Sequence, residues 1–441
     1  MRRTKLITTL VPATAAVLLA SGCLNDGGST ASSAGRDGGS GDKTVEIMTG
    51  LTGDGLEALK VSLEPYAKQQ GITIKWSPAD NFNQLIVTRV QGNNLPDIAL
   101  FPQPGIMKDL AAKGRLAPLD GILDLPTLKS SMSAGTLEAG THDGKLYGLM
   151  VSMNVKSLVF YPKQAFESAG YPIPKSIPEL LQLTDKIKAD GKIPWCLGIE
   201  SGPATGWPAT DWIEELVLKY GGIDKYNQWV EHKIPFDSPL VRQAAGTFEK
   251  IAFTEGNVLG GRKSISSNAF GTAGNPMFRN PPGCYLFKQG NFVAAKGFFP
   301  DDVLADIDNR LGVFGFPPAT AGGDNPVEGG GDLAGLFSKD NEAAKKVLQY
   351  MSTKDFGAAG AKTGAWLSPH KDFDVSHYPS KTIRDIAEIA YGSTSFAFDG
   401  SDAMPGAVGS GTFWKAMTSW ISGQQTTDEA LKSIDASWPA N

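Results

Sequence analysis

An α/β fold built in two lobes is what this sequence predicts, and three observations predict it. Strand-like and helix-like stretches alternate from residue 43 onward, the pattern of a sheet flanked by helices. At 441 residues the chain is too long for one simple hydrophobic core. Two long β-leaning runs, "GLMVSMNVKSLVFYP" (148–162) and "RLGVFGFPPA" (310–319), interrupt the alternation, and the first lacks a turn signal in its first half.

The elements follow in order. "KTVEIMTG" (43–50) alternates and ends in Gly, so it reads as a strand. In "LEALKVSLEPYAKQQG" the residues Leu56, Leu59, Leu63 and Tyr66 share one helical face, Gly71 can end the helix, and Pro65 is expected to kink it. "ITIKW" (72–76) and "LPDIALFP" (95–102) read as strands, and "GIMKDLAAKGRLAPLD" as a helix ended by Gly114. Between the two β-leaning runs lie helices over 176–191, 208–222 and 238–256. A helix over 340–353 and three more follow, and Thr426 and Glu429 fit a capping box at the start of the last.

The first residues are addressing, not fold. "MRRTKLITTLVPATAAVLLASGC" has a basic start, an apolar stretch too short and broken to span a membrane, and a small-residue end, as a secretory signal peptide does. Its end, Leu19-Ala20-Ser21-Gly22-Cys23, resembles a bacterial lipobox, with Ala20 where Leu is commoner, so Cys23 is expected to carry lipid. The alternative is an ordinary secreted protein with a leftover cysteine. Residues 24–43 are rich in Gly, Ser and Asp and read as a flexible tether with a root-mean-square span of about 25 Å. Cys196 and Cys284 remain, and outside the cytoplasm a leftover pair usually bonds, the alternative being two buried thiols.

Net charge is −5, which gives no support to a nucleic-acid partner. No G-x-S-x-G elbow, G-x-x-x-x-G-K-[ST] loop or H-E-x-x-H occurs, and the four histidines are scattered through polar contexts. Metal-ligand spacing is missing, so neither a metal nor a cofactor is expected. A pair of carboxylates flanking a glycosidic bond needs no motif, which leaves a glycosidase as the enzymatic rival.

What stands out is a mixture of rings and acids at turns. In "CLGIESGPATGWPATDW" (196–212), Pro208, Asp211 and Glu214 fit plain helix initiation, but Trp207 and Glu200 are left over. "TGLTGDG" offers Thr52 and Asp54, and "DIALFPQPG" places Phe101 and Gln103 past a strand's C-terminal end, where α/β sheets bind ligands. "EGGGDLAG" carries Asp332, "KTGAWLSPH" carries Trp366, and "FAFDGSDAMPGAVGSGTFW" carries Asp399, Asp402 and Trp414. Aromatic faces cover the C–H face of a pyranose while carboxylates and amides bind its hydroxyl rim, so a sugar suits such a set. Asp399 and Asp402 also read as helix caps.

Several longer stretches carry a resemblance. "GNNLPDIALFPQPGIMKDLAAKGRLAPLD", "MNVKSLVFYPKQAFESAGYPIPKSIPELLQL" and "GTFWKAMTSWISGQQTTDEALKSID" resemble the extracellular solute-binding proteins of carbohydrate ABC importers, the maltose-binding-protein class, over nearly all of 44–438. "PWCLGIESGPATGWPATDW" and "NPPGCYLFKQGNF" are similar to its α-glucoside-binding subgroup, in which the two cysteines would pair. The resemblance implies a two-lobed periplasmic-binding-protein-like α/β fold with the ligand in a cleft between lobes. Lobe one would span 44–150 and 318–375, lobe two 151–317 and 376–441, with hinge crossings near 148–156 and 310–318. Trp414 would be the stacking aromatic. Glu200 and Trp207 would serve from lobe two, and Asp332, Thr52, Asp54, Phe101 and Gln103 from lobe one. The function implied is capture of an oligosaccharide such as maltose or trehalose and delivery to ABC permease subunits, without catalysis. The protein would be a monomer held by its lipid anchor on the outer face of the cell membrane. The rivals are a secreted glycosidase, a binding protein for a phosphorylated polyol or a peptide, and a surface adhesion protein.

Overall fold

The computed structural model describes residues 43–439. The expected signal peptide, Cys23 and most of the tether lie outside the described residues. Eleven strands are present among those described: β1 Thr44–Thr49, β2 Thr73–Pro78, β3 Ile98–Phe101, β4 Thr141–His142, β5 Lys145–Leu146, β6 Leu149–Val155, β7 Leu158–Pro162, β8 Phe287–Lys288, β9 Leu311–Gly315, β10 Val327–Leu336 and β11 Phe396–Phe398.

Six of them form one mixed sheet in the order β11-β10-β3-β1-β2, with β6 also on β10. Strand β1 pairs parallel with β2 and β3, with Ile47 opposite both Trp76 and Ile98. Strand β10 runs antiparallel to β3 and β6 and parallel to β11. A second sheet, β8-β7-β9, is antiparallel, with Phe160 opposite Val313. The first β-leaning run is therefore two strands in two different sheets, broken at Lys156 and Ser157. The break explains why that run carries no turn signal: the chain does not reverse but passes from one sheet to the other.

Two core clusters accompany the sheets, the first extending from the larger sheet to Phe160, Phe287 and Leu311 of the smaller one. Beside the larger sheet, Leu59, Ile86, Phe101, Met107 and Leu348 are sealed from solvent. Around the smaller sheet, Trp195, Trp212, Trp229, Phe248 and Trp420 form an aromatic interior. Burying a large apolar side chain contributes about 1.5–3 kcal/mol, so each core is a substantial source of stability. Three passages of chain meet between them and are tied by backbone. Lys156 N donates to Glu328 O at 2.9 Å, and Phe316 N to Ser157 O at 2.8 Å. Glu328 N donates to Ser157 Oγ at 2.7 Å.

Several local expectations meet their physical reasons. The helix Gly53–Gln69 runs unbroken through Pro65. The helix Pro104–Ala112 stops just before Gly114, and Thr426 and Glu429 form the capping box. The helix expected over 208–222 starts at Trp207 and resumes past Gly222, whose φ of 71° breaks it, to end at Val230. "EGGGDLAG", expected as a turn, is the middle of β10. At Gly329 and Gly331 the neighbouring backbone is too close for a side chain, with a Cβ 2.0 Å from Asn154 O and 2.2 Å from Ser152 O, whereas a Cβ on Gly330 would meet nothing within 4 Å. No helix among the described residues is long and apolar enough to cross a membrane.

Cys196 and Cys284 are disulfide-bonded, with Cα atoms 5.5 Å apart across a separation of 88 residues. A loop of that length corresponds to about 4–5 kcal/mol in the chain-entropy account. Replacing both cysteines with Ser is expected to lower unfolding free energy by several kcal/mol in denaturant titration, and reductant should destabilise the wild type but not the variant.

Candidate functional site

A cavity of about 410 Å³ opens at the C-terminal ends of β1 and β3, the end of a parallel pair where ligands enter α/β sheets. Gly50 and Leu51 follow β1 and Pro102 follows β3. Asp80 to Gln84 enter from the start of the helix Phe82–Gln91, Asn154 and Lys156 from the end of β6, and Gly330 to Asp332 from β10; Asp402 completes the wall. The wall is thus mostly polar side chains and glycine backbone, the composition that orients a hydroxyl-rich ligand.

Two short hydrogen-bond systems hold it in place. Asn83 Nδ2 donates to Gln103 Oε1 at 2.6 Å, and Gln103 Nε2 donates to Asp402 Oδ1 at 2.7 Å. Ser152 Oγ donates to Asp332 Oδ2 at 2.7 Å. Burial raises the Asp332 carboxyl above its ordinary range. Burial, and then the Asp399 charge beside it, push Asp402 up to about 8.

Beneath the cavity lies a sealed ionic cage. Lys156 Nζ sits 3.0 Å from Asp211 Oδ1 and in contact with Asp399 Oδ2. Glu215 pairs with Lys219 at 3.2 Å and with Lys288 at 3.5 Å, and Lys288 also faces Glu328 at 3.7 Å. Glu214 accepts from Gly400 N at 2.6 Å and Ser401 N at 3.2 Å. None of these eight residues is more than 8% exposed. Five carboxyls (Asp211, Glu214, Glu215, Glu328, Asp399) face three ammoniums, and buried charge must be matched. Protons supply the remainder: burial first, and neighbouring acids second, push Glu214 well above the ordinary range. Burial does the same to Glu328 against the pull of Lys288, and Asp211 is raised to about 6. Burial opposes the charge on Lys156, but Asp211, Asp399, Glu328 and Asp402 outweigh it and hold the ammonium protonated.

The two tryptophans stand beside this cage. Trp207 opens the helix Trp207–Val230, donates from Nε1 to Ser201 Oγ at 3.1 Å, and packs edge-on against Phe270 at 4.8 Å. Lys156 Nζ is 4.8 Å from the centre of its ring, a cation–π distance. Trp414 follows a π-helical turn, Ala407–Phe413, and donates from Nε1 to Ser401 Oγ at 3.3 Å. Ser401 Oγ donates in turn to Asp399 Oδ1 at 2.8 Å. Gly206 permits this meeting: its φ is 118°, and a Cβ there would lie 2.3 Å from Trp414 O. Both rings are half-buried and neither lines the cavity; Trp207 meets it through Lys156, and Trp414 reaches the cage through Ser401.

Of the eleven residues expected at the site, Asp332 and Asp402 line the cavity, Gln103 braces Asp402, and Asp399, Trp207 and Trp414 join it through Lys156 and Ser401. The others sit elsewhere. Thr52 and Asp54 are exposed at the start of their helix, one turn from Leu51. Glu200 turns back on its own loop, accepting from Gly202 N at 2.8 Å. Phe101 and Trp366 are corrections. Phe101 is fully buried against Phe82 at 5.6 Å, because β3 is a central strand whose side chains all point into core. Trp366 is buried between Phe356 and Phe373, in space left by Gly357. The helix start at Asp80–Gln84, Asn154 and Lys156 were not singled out from sequence. A polar run "DNFNQ" just past a strand was the available signal for the first.

Asp402 gives a pH prediction. A carboxyl whose value rises from 3.8 unfolded to about 8 folded costs stability as pH climbs between those values, since the unfolded chain sheds the proton first. Asp402→Asn is expected to remove part of the fall in ligand-free melting temperature between neutral and mildly alkaline pH. Parallel melting curves for variant and wild type would contradict this.

The comparisons with known proteins agree with one another. The profile of the bacterial extracellular solute-binding proteins matches residues 49–358. The "Osmoprotective compounds-binding protein GgtB" of Synechocystis sp. is 38% identical over 90% of this chain and 93% of its own. The "Alpha-glucosides-binding periplasmic protein AglE" of Rhizobium meliloti is 37% identical over 87% of this chain and 84% of its own. Among solved structures, the bacterial solute receptor AcbH superposes with a TM-score of 0.75 at 20% identity, over 90% of this chain and 98% of its own. Maltose-bound T. maritima MalE3 superposes with a TM-score of 0.66 at 18% identity, over 89% and 98%. These likenesses establish the fold of the maltose-binding-protein class and a binding protein, not an enzyme: the chain belongs to the bacterial extracellular solute-binding protein family.

Proposed function

We propose that this protein captures an α-glucoside, such as maltose or trehalose, and delivers it to ABC permease subunits in the membrane. The observation that carries the reading is the polar cavity at the β1 and β3 ends, with two half-buried tryptophans beside the ionic cage beneath it. Support for the ligand class comes from the relative named for binding α-glucosides. The relative named for osmoprotective compounds is similar to a like degree, 38% identical against 37%. The cavity lies in the lower part of the usual range for ligand pockets, which favours one or two sugar rings over a long chain.

The two cores act as two lobes that close on the sugar by bending at the passages through Lys156–Ser157, Phe316 and the start of β10. Trp207 and Trp414, carried by helices that pack in the second core, cover the C–H face of the sugar on closure, while Asp332 and Asp402 take its hydroxyls. Cys23 carries lipid and the tether holds a monomer outside the cytoplasmic membrane.

A thermal-shift panel of α-glucosides, galactosides and xylosides tests the reading. α-Glucosides should raise the melting temperature most, in a concentration-dependent way. Steady release of product from labelled maltodextrin, or no shift with any sugar, contradicts it. In calorimetry, Trp414→Ala should abolish binding with the fold intact, and Trp207→Ala should weaken it by about 1–3 kcal/mol.

A further inference from the structure

We propose that Lys156 is a ligand-reading residue, an ammonium that donates one hydrogen bond to a sugar oxygen from the point where the chain passes between the two sheets. The inference rests on the sugar-binding reading and names a group that reading lacks. Lys156 is the one cationic side chain among the residues lining the cavity. An ammonium has three N–H donors and no acceptor. One goes to Asp211 Oδ1 at 3.0 Å and one to Asp399 Oδ2. The third has no further hydrogen-bond partner in the described residues, and the side chain borders the cavity.

The lysine is held in place before a ligand arrives. Its own N–H is fixed on Glu328 O at 2.9 Å, and its carbonyl accepts from Leu158 N at 2.8 Å. Asp211 sits on the helix Trp207–Val230 and Asp399 just past β11, so the ammonium is gripped from two elements that approach from different directions. The face of Trp207 closes a further side at 4.8 Å. A cation immobilised this way loses little freedom on binding.

Its surroundings also select the ligand. Asp211 and Asp399 set two carboxyls against the single charge of the lysine, and no other cation lines the cavity. An anionic sugar, a uronate or a phosphate ester, would meet more negative than positive charge. A neutral hydroxyl instead accepts a hydrogen bond from Lys156 and donates its own O–H to a carboxyl oxygen of the wall. A site of that kind penalises an analogue lacking the hydroxyl, because the lysine's donor is then left unpaired.

The test is calorimetric titration of the best α-glucoside from the panel and its monodeoxy analogues against wild type, Lys156→Gln, and the double variant Lys156→Met/Asp399→Asn. The double variant removes a cation together with an anion, which keeps the cage balanced if the single variant fails to fold. In wild type one deoxy analogue should bind roughly 10- to 100-fold more weakly than the parent sugar. In a folded Lys156 variant the parent should fall by a similar factor, and that one analogue should lose nothing further. Wild-type affinity in a folded variant, or an equal loss for the parent and every analogue, overturns the assignment and leaves Lys156 a purely structural ion. A wild-type protein that gives no heat with any sugar overturns the sugar reading as well, a pattern distinct from failure of the lysine alone.

Discussion

An ammonium buried between two carboxylates is tolerable only if each charge finds its partner, since removing one partner of a buried pair typically costs about 3–5 kcal/mol. Lys156, Asp211 and Asp399 meet that condition, and the geometry around them follows from it. Lys156 comes from the passage between β6 and β7, Asp211 from the helix Trp207–Val230, and Asp399 from the end of β11. Those three segments are distant in sequence, and their charges hold them against one another. The second tier, Glu215, Lys219, Lys288 and Glu328, repeats the device one layer deeper.

The consequence for binding is a division of labour. The larger sheet supplies a floor of glycine backbone and short polar side chains, because β10 is pressed so closely against β6 that little else fits. The rings come from helices of the second core: the helices starting at Trp207 and Trp414 bury Trp212, Trp229 and Trp420 in that interior. The ionic cage lies between the two and faces the cavity through Lys156 and Asp402. In the proposed closure, a ligand that touched floor and rings together would stabilise the closed arrangement through contacts the open one lacks.

Much of this was legible in the sequence, and the failures have physical causes. Period and punctuation located β1, β2, β3 and the capped last helix, because amphipathic alternation and cap residues are local signals. Asp332 was singled out through a misreading: three glycines suggested a turn, whereas they lie within a central strand, where Gly329 and Gly331 press against the backbone of β6. Trp366 and Phe101 show the limit of reading rings as ligand walls. An aromatic near a turn serves a core as readily, and only its partners tell which. Lys156 was invisible because nothing local marks it. It sits in a β-leaning run, and its importance arises from two acids 55 and 243 residues away. Asp211 was read as helix initiation, which is what its neighbours in sequence imply and what its neighbours in space override.

A crystal structure determined with an α-glucoside present tests the central claim most directly. The account predicts one sugar ring seated over β10, hydrogen-bonded within reach of Asp332, Asp402 and Lys156 and covered by Trp207 or Trp414. Sugar density elsewhere on the surface, with this cavity filled only by water at saturating ligand, would contradict it.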